Sequence, residues 1–371
     1  MREEGFTMNR SKLILVGGFL GAGKTSLLWK ASQLLDQQGA RVGMITNDQA
    51  TNLVDTAFLQ RGRGLVREVS GSCFCCNFNG FADAVSYIAE KNPGGVILAE
   101  PVGSCTDLSA TLMQPLKDQY TDTVDLAPLT VLADPERLRR ILDGADTADS
   151  YIGAKQFEEA DVILINKIDL LDDTQRESLR QRAAEKWPNA LVLTASVKAG
   201  SGVAEWLELV MQPQAAGTHL AQVDYDRYAD GEAAYGWLNA SYALDGEGDC
   251  ARAARSLLDG LCAAFTQQNA PVGHVKFLLQ AGETQWIGNL TGGPETASLR
   301  EEPQHAEKPM LTVNARVEME PEKLLSTVQR AVEEALDGIS FQQTECRCLT
   351  PGRPNPTYRY DRIIGGEQDS I

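Results

Sequence analysis

No apolar run in this sequence approaches the length needed to cross a bilayer, so a membrane-embedded protein is not expected. Positive charge is also scarce. Against 51 aspartates and glutamates stand 34 lysines and arginines, for a formal charge of −17. An acidic field of that size argues against a nucleic-acid backbone or an anionic membrane as the main partner, and neither is expected. Histidine is nearly missing: His219, His274 and His305 stand far apart, each expected to be an ordinary surface or core residue. The eight cysteines in 371 residues are too few for a disulfide framework. Two groups of them, Cys73/Cys75/Cys76 and Cys346/Cys348, are close in sequence, as reduced, metal-binding or redox thiols tend to be. A cytoplasmic location is the expectation, since the opening residues 1–7 lack the apolar core of a secretory signal. Internal repeats are absent, and the length suits two domains.

What is present begins with a glycine-rich stretch. Residues 18–25 fit the phosphate-loop spacing G-x-x-x-x-G-K-[ST] without a mismatch. The apolar run Leu13-Ile14-Leu15-Val16 before it reads as a buried strand, and residues 25–38 read as a helix with Leu27, Leu28, Ala31, Leu34 and Leu35 on one side. Glycines let a backbone wrap a polyphosphate with its N–H groups inward, and the helix N-terminus adds partial positive charge. Gly18, Gly21, Ala22, Gly23, Lys24, Thr25 and Ser26 are therefore candidate nucleotide contacts, with Lys24 on the β/γ-phosphates and Thr25 on Mg²⁺. The bland alternative is a strand-to-helix turn that binds nothing.

Alternating strand and helix patterns continue from residue 12 to about 211, the signature of a parallel sheet with helices on both faces. Each polar motif falls just after the carboxyl end of a strand, where open α/β sheets bind ligands. The strands near 41–46, 64–69, 96–99, 129–133, 161–165 and 191–193 end at Asn47-Asp48, Ser70-Gly71-Ser72, Glu100, Asp134, Asn166 and Thr194. Residues 212–233 lose apolar periodicity and read as a linker. From 234 the pattern becomes that of a small α+β domain, with Leu238, Ala240, Tyr242 and Leu244 alternating on one strand. Its other sheet face, with Asn239, Ser241, His274, Lys276, Gln280, Asn314 and Arg316, reads as solvated, with a partner site as the alternative. The proline-rich tail from Thr350 is expected to be extended and partly mobile.

The run Asn166-Lys167-Ile168-Asp169 ends a strand far downstream of the phosphate loop, where N-K-x-D selects guanine. Asp169 would accept from the ring N–H and the exocyclic amine, groups that adenine does not offer together, so ATP would leave a carboxylate unpaired. Asn166 would bridge to the phosphate loop, the Lys167 stem would lie against the base, and the turn through Ala195 and Ser196 would present a backbone N–H to the guanine oxygen. A capped helix start is the alternative for these four residues. Asp48 and Glu100 are the candidate carboxylates for hydrolysis and Mg²⁺, held directly or through water. Gly103 would place an N–H near the γ-phosphate. Helix capping is the alternative for either acid and equally for Asp55. Phosphoryl transfer asks for positioning and charge neutralisation, which Lys24, Asp48, Glu100 and Mg²⁺ would supply.

Cys73-Phe74-Cys75-Cys76 places three thiols within four residues. Convergence on one ion requires a turn, which Gly71 and Asn77 would allow. Soft thiolates select Zn²⁺ or related ions, and three ligands rather than four suit an ion that must leave. A redox-sensing cluster is the rival reading. Cys105 is a conceivable fourth ligand but reads first as a small buried core thiol. Cys346 and Cys348 are left out of the metal set.

With these motifs in this order, residues 12 to about 211 resemble the CobW/HypB/UreG family of metallochaperone GTPases, most nearly its CobW-like branch. The resemblance implies a SIMIBI-type P-loop NTPase domain (1–211), the linker (212–233) and a C-terminal α+β domain with its extended tail (234–371). It also implies GTP hydrolysis to GDP, and nucleotide-controlled handover of Zn²⁺, Co²⁺ or Ni²⁺ to a client protein. Two departures stand out. The run Asn47-Asp48-Gln49-Ala50 is closer to the urease and hydrogenase accessory branch, and the histidine-rich stretch common in the family is absent. A homodimer completing the site is left open. A regulatory GTPase that binds a client enzyme without moving metal is the alternative function, and a nucleotide kinase a third.

Overall fold

The computed structural model describes residues 10–48, 64–245 and 248–365. These divide into two compact units: 10–48, 64–228 and 354–365 form the first, and 229–245 with 248–353 the second. Among the described residues, no helix is long and apolar enough to cross a membrane.

In the first unit β1 (Ser11–Gly18) is followed by helix α1 (Lys24–Gln37), β2 (Val42–Asp48), β3 (Leu65–Ser70) and helix α2 (Phe78–Lys91). Then come β4 (Val96–Glu100), β5 (Val124–Leu126), β6 (Thr130–Ala133), β7 (Val162–Ile165) and β8 (Leu191–Thr194). They form one eight-stranded sheet in the order β3-β2-β4-β1-β6-β7-β8, with β5 beside β1 and parallel to it. Every residue of β4, β6 and β7 is buried, as a parallel sheet covered on both faces requires. The short β5, placed by its pairing with residues 11–13 of β1, carries no periodicity of its own and has no counterpart among the expected strands.

The second unit is a four-stranded antiparallel sheet in the order β10-β11-β9-β12, from β9 (Gly236–Asp245), β10 (Val272–Leu290), β11 (Ser298–Val317) and β12 (Ser340–Leu349). Leu238, Ala240, Tyr242 and Leu244 join the core with Leu257 and Phe265 of helix Cys250–Gln267 and Val328 and Val332 of helix Pro321–Ala335. Residues 275–279 and 286–290 lie on one strand, β10, carried past Gly282 by shifts in register.

Three expectations change. The expected wet face is not wet at four of its positions: Asn239, Ser241, Asn314 and Arg316 are all buried. Arg316 donates to the Leu238 and Ala315 carbonyls and to Asn239 Oδ1, and its guanidinium lies over the Trp237 ring. The first unit continues beyond 211. The Asp161 carboxylate accepts the Gly217 and Thr218 amides, and Gln114 donates to the Gly217 carbonyl, which ties down part of the expected linker. The tail from Pro354 belongs with the first unit and not with the second. Its backbone is held there by hydrogen bonds from Thr357 to Cys75, from Tyr360 to Ala110 and from Ile364 to Gln114.

Candidate functional site

The turn between β1 and α1 is built on glycines in the left-handed region: φ is +127° at Gly18, +78° at Gly21 and +103° at Gly23. Space demands them as well as conformation. A Cβ at Gly18 would lie 2.5 Å from the Leu132 carbonyl oxygen, and one at Gly23 would lie 2.5 Å from Asn166 Nδ2. No side chain caps α1, so its first turn is suited to an anion. Lys24 Nζ donates to the Gly18 carbonyl at 2.9 Å and lies 3.9 Å from Glu100 Oε1. Thr25 donates from Oγ1 to the same carboxylate oxygen at 3.0 Å. The ends of β1 and β4 thus bring Lys24, Thr25 and Glu100 together. Gly103 completes this corner: a Cβ there would stand 3.0 Å from both Lys24 Nζ and the Leu20 amide nitrogen. Asp48 closes β2 opposite Ser70 in register. Its side chain lies outside the described residues, as do Gln49, Ala50 and Asp55.

At the other end of the cleft Asn166 follows β7. Its Nδ2 donates to the Ala22 carbonyl at 2.9 Å, and its Oδ1 accepts the Val197 amide at 3.0 Å, so it fastens the phosphate loop to the loop after β8. Lys167 adopts φ +58°, and its ammonium pairs with Asp134 at 2.8 Å. Burial is the largest single influence on the Asp134 carboxyl and works to raise it, but the Lys167 charge and hydrogen bond, with the Arg137 amide and charge, together outweigh it and the pKa is lowered. Asp169 accepts from Ser196 Oγ at 2.5 Å. The two amides of the turn expected to meet guanine have partners within the protein. The Ala195 amide is spent on the Ile165 carbonyl, as β8 extends its pairing with β7, and the Ser196 amide on the Ser201 carbonyl. Ser196 acts through its hydroxyl, which holds the Asp169 carboxylate.

The cysteines lie in a turn between β3 and α2. Gly71 takes the left-handed conformation, φ +90°, and Asn77 caps α2 by accepting the Gly80 amide. Phe74 is fully buried and stacks on Phe81 at 4.3 Å, which turns its flanking thiols inward. The sulfurs of Cys73, Cys75 and Cys76 all lie within 4.8 Å of one another: Cys73 and Cys75 are 3.0 Å apart, Cys75 and Cys76 3.9 Å. Hydrogen bonds with the thiols of Cys105, Cys75 and Cys76 hold the Cys73 pKa well below the usual thiol range. The reciprocal contacts, with burial, hold Cys75 well above it, and Cys76 is pushed up to about 11. The cluster therefore favours one thiolate among protonated neighbours.

Four partners of these residues are not picked out by the motifs alone. Asn47, beside Asp48, donates from Nδ2 to the Val69 and Ser72 carbonyls and accepts the Phe74 amide, all at 2.8 Å. It pins the cysteine turn to β2. Asp134 anchors Lys167. Cys105 is a neighbour of the cysteine cluster. The tail covers it: Asn355 donates its amide to Cys76 Sγ at 3.4 Å, and Thr357 Oγ1 donates to the Cys76 carbonyl. Only Cys105 carries a sequence signal, its thiol two residues beyond Gly103.

The description "CobW/HypB/UreG, nucleotide-binding domain" matches residues 12–194. Zinc-regulated GTPase metalloprotein activator 1 of Schizosaccharomyces pombe is 28% identical over 187 residues, covering 47% of this chain and 43% of that protein. Zinc chaperone YeiR of Escherichia coli is 28% identical, covering 48% of this chain and 51% of that protein. Zinc chaperone CobW of Pseudomonas aeruginosa is 27% identical, covering 50% and 56%. The chain spans about half the length of these relatives. With the phosphate loop, the N-K-x-D run and the thiol turn on one sheet, the nucleotide-binding part of this chain belongs to the CobW/HypB/UreG family.

Proposed function

We propose that this protein is a GTP-hydrolysing metallochaperone that carries a transition metal, most simply Zn²⁺, on Cys73, Cys75 and Cys76 and passes it to a client protein. The observation that carries this reading is the convergence of three cysteine sulfurs within 4.8 Å, two of them buried, beside the strand that leads to the switch carboxylate. Thiolates suit Zn²⁺, and free cysteines suit a reducing, cytoplasmic setting. Relatives named as zinc chaperones and as a zinc-regulated GTPase activator support the same choice of ion.

GTP's phosphates would lie in the loop whose Gly18 and Gly23 pack against Leu132 and Asn166 with no room for a Cβ. Its base would meet Asp169, with Asn166 and Lys167 framing it, while Ala195 contributes position and no contact. Thr25, Asp48 and Glu100 would hold Mg²⁺, which neutralises phosphate charge and orients the attacking water. Lys24 turns from the Gly18 carbonyl toward the β/γ-phosphates. Gly103, against Lys24, senses whether a γ-phosphate is present. Binding the metal displaces protons from Cys75 and Cys76, so its affinity rises with pH.

Zinc titration into wild type and Cys75→Ser/Cys76→Ser, each with and without a non-hydrolysable GTP analogue, tests the reading. Wild type should bind one equivalent with an affinity that changes with nucleotide, and the double variant should bind far more weakly. Equal affinity in all four conditions would remove the coupling of metal to nucleotide.

A further inference from the structure

Among its glycines the phosphate loop carries two large side chains, Phe19 and Leu20. A glycine-rich backbone has little stiffness of its own, so what these two side chains touch fixes where the loop rests. Leu20 is held at the Gly103 corner, where a Cβ would stand 2.7 Å from its Cδ2. Phe19 is buried, and the guanidinium of Arg137 lies over its ring, 3.8 Å from the centroid. The Phe19 carbonyl accepts the Ala22 amide at 3.2 Å and the Lys24 ammonium at 3.5 Å. A shift of the ring therefore reaches the lysine expected on the β/γ-phosphates.

Arg137 is itself held. Its Nη1 donates to Asp149 Oδ2 at 2.6 Å, and that buried carboxylate also takes Arg140 Nη2 at 2.6 Å and the Thr147 hydroxyl. Asp149 stands in the first turn of helix Ala148–Glu158, where the helix dipole favours an anion. The helix that carries Arg137, Pro135–Leu142, has a second attachment. Its cap, Asp134, accepts the Glu136 and Arg137 amides at 3.1 and 3.3 Å through Oδ1 and pairs with Lys167 at 2.8 Å through Oδ2. One helix start thus grips the phosphate loop through Arg137 and the N-K-x-D run through Asp134.

We propose that Arg137 is a positioning residue for the nucleotide: clamped on Phe19 and steadied by Asp149, it sets the phosphate loop in place relative to the base-binding loop. The assignment rests on the GTP-hydrolysing reading above and adds to it a residue outside every motif. Arg137 acts through Phe19 and not on the phosphates. The loop amides hold phosphate in the ground state and the transition state alike, so loosening them raises KM and leaves kcat nearly as it was.

Steady-state hydrolysis, and displacement of a fluorescent GTP analogue by GTP, test this on the full chain in wild type, Arg137→Gln, Phe19→Leu and the double variant. Arg137→Gln should raise KM and Kd together by about three- to thirtyfold, the range of a cation on an aromatic face, with kcat within about threefold. In the Phe19→Leu background the same change should have less than about a twofold effect, since the ring it acts through is gone. Thermal melting checks the fold; where Arg137→Gln does not fold, Arg137→Lys, which keeps a cation for Asp149 but lacks the planar face, takes its place. Unchanged KM and Kd, a loss confined to kcat, or losses that add fully in the double variant overturn the clamp and leave GTP binding standing. Absence of GTP binding to wild type overturns the nucleotide reading itself, and Arg137 with it.

Discussion

Asp169 is held by Ser196, and under the proposed function its carboxylate would choose the base. Replacing it with Asn exchanges one acceptor for a donor. Asp169→Asn should therefore weaken GTP binding by about 10² or more and favour xanthosine triphosphate, whose ring offers a carbonyl where guanine has an amine. Competition between the two nucleotides for a fluorescent analogue measures the switch. Asn47 is a different kind of residue, buried and saturated with three hydrogen bonds to the cysteine turn and β3. Asn47→Ala should cost about 2–3 kcal/mol in denaturant unfolding, and zinc affinity should fall with it as the turn loosens. The phosphate loop and the cysteines were legible because their chemistry is written in contiguous spacing. The Asn47 bonds were not, since its partners follow it by 22 to 27 residues across a turn whose shape no local pattern states. The Ala195 and Ser196 amides illustrate the converse. A motif names the loop, while the sheet and the next turn decide which N–H is spent.

Among the elements, the strands of the first unit follow from alternating apolar runs, and most expected strands recur within a residue or two. The tail escaped because nothing in its composition announces a docking partner. Its contacts are one-to-one: Arg359 with Asp107, 252 residues away, and Thr357 with the Phe78 amide, 279 residues away. The Tyr358 ring meets Phe78 edge-on at 5.2 Å, and Tyr360 donates to Asp118 at 2.6 Å. A chain ending at Arg353 should lose these contacts together. Its first unit should melt several degrees lower, and bound zinc should pass to a chelator faster, because Cys76 loses both its cover and the Asn355 N–H. Calorimetry and stopped-flow metal exchange read the two effects separately. An exchange rate equal to that of the intact chain would mean that the tail only braces the fold.

At the scale of the whole molecule, the first unit buries an acid pair that nothing in the motifs requires. Glu159 is fully buried, accepting from Thr106 and the Ser109 amide, and burial with the nearby Asp107 charge pushes its pKa up to about 8. Asp107 is raised in the same direction by burial, against the pull of Tyr225 and Arg359. A raised carboxyl is protonated in the folded state while its unfolded counterpart ionises near 4.5. This group's contribution to folding stability should thus be fully present below about pH 4.5, fall as the pH climbs from there, and level off above about 8. Glu159→Gln should flatten that slope, which a series of thermal midpoints from pH 5 to 8.5 would record; an unchanged slope would place the acid load elsewhere.

The six residues from Glu100 to Cys105 have one end on Thr25 and the other among the thiols. Under the proposed function they would act as a tie-rod, and a push delivered where phosphate leaves would arrive at the sulfurs. A single glycine inserted after Gly103 would put slack in that rod. Hydrolysis and metal capture should then each persist, running out of step.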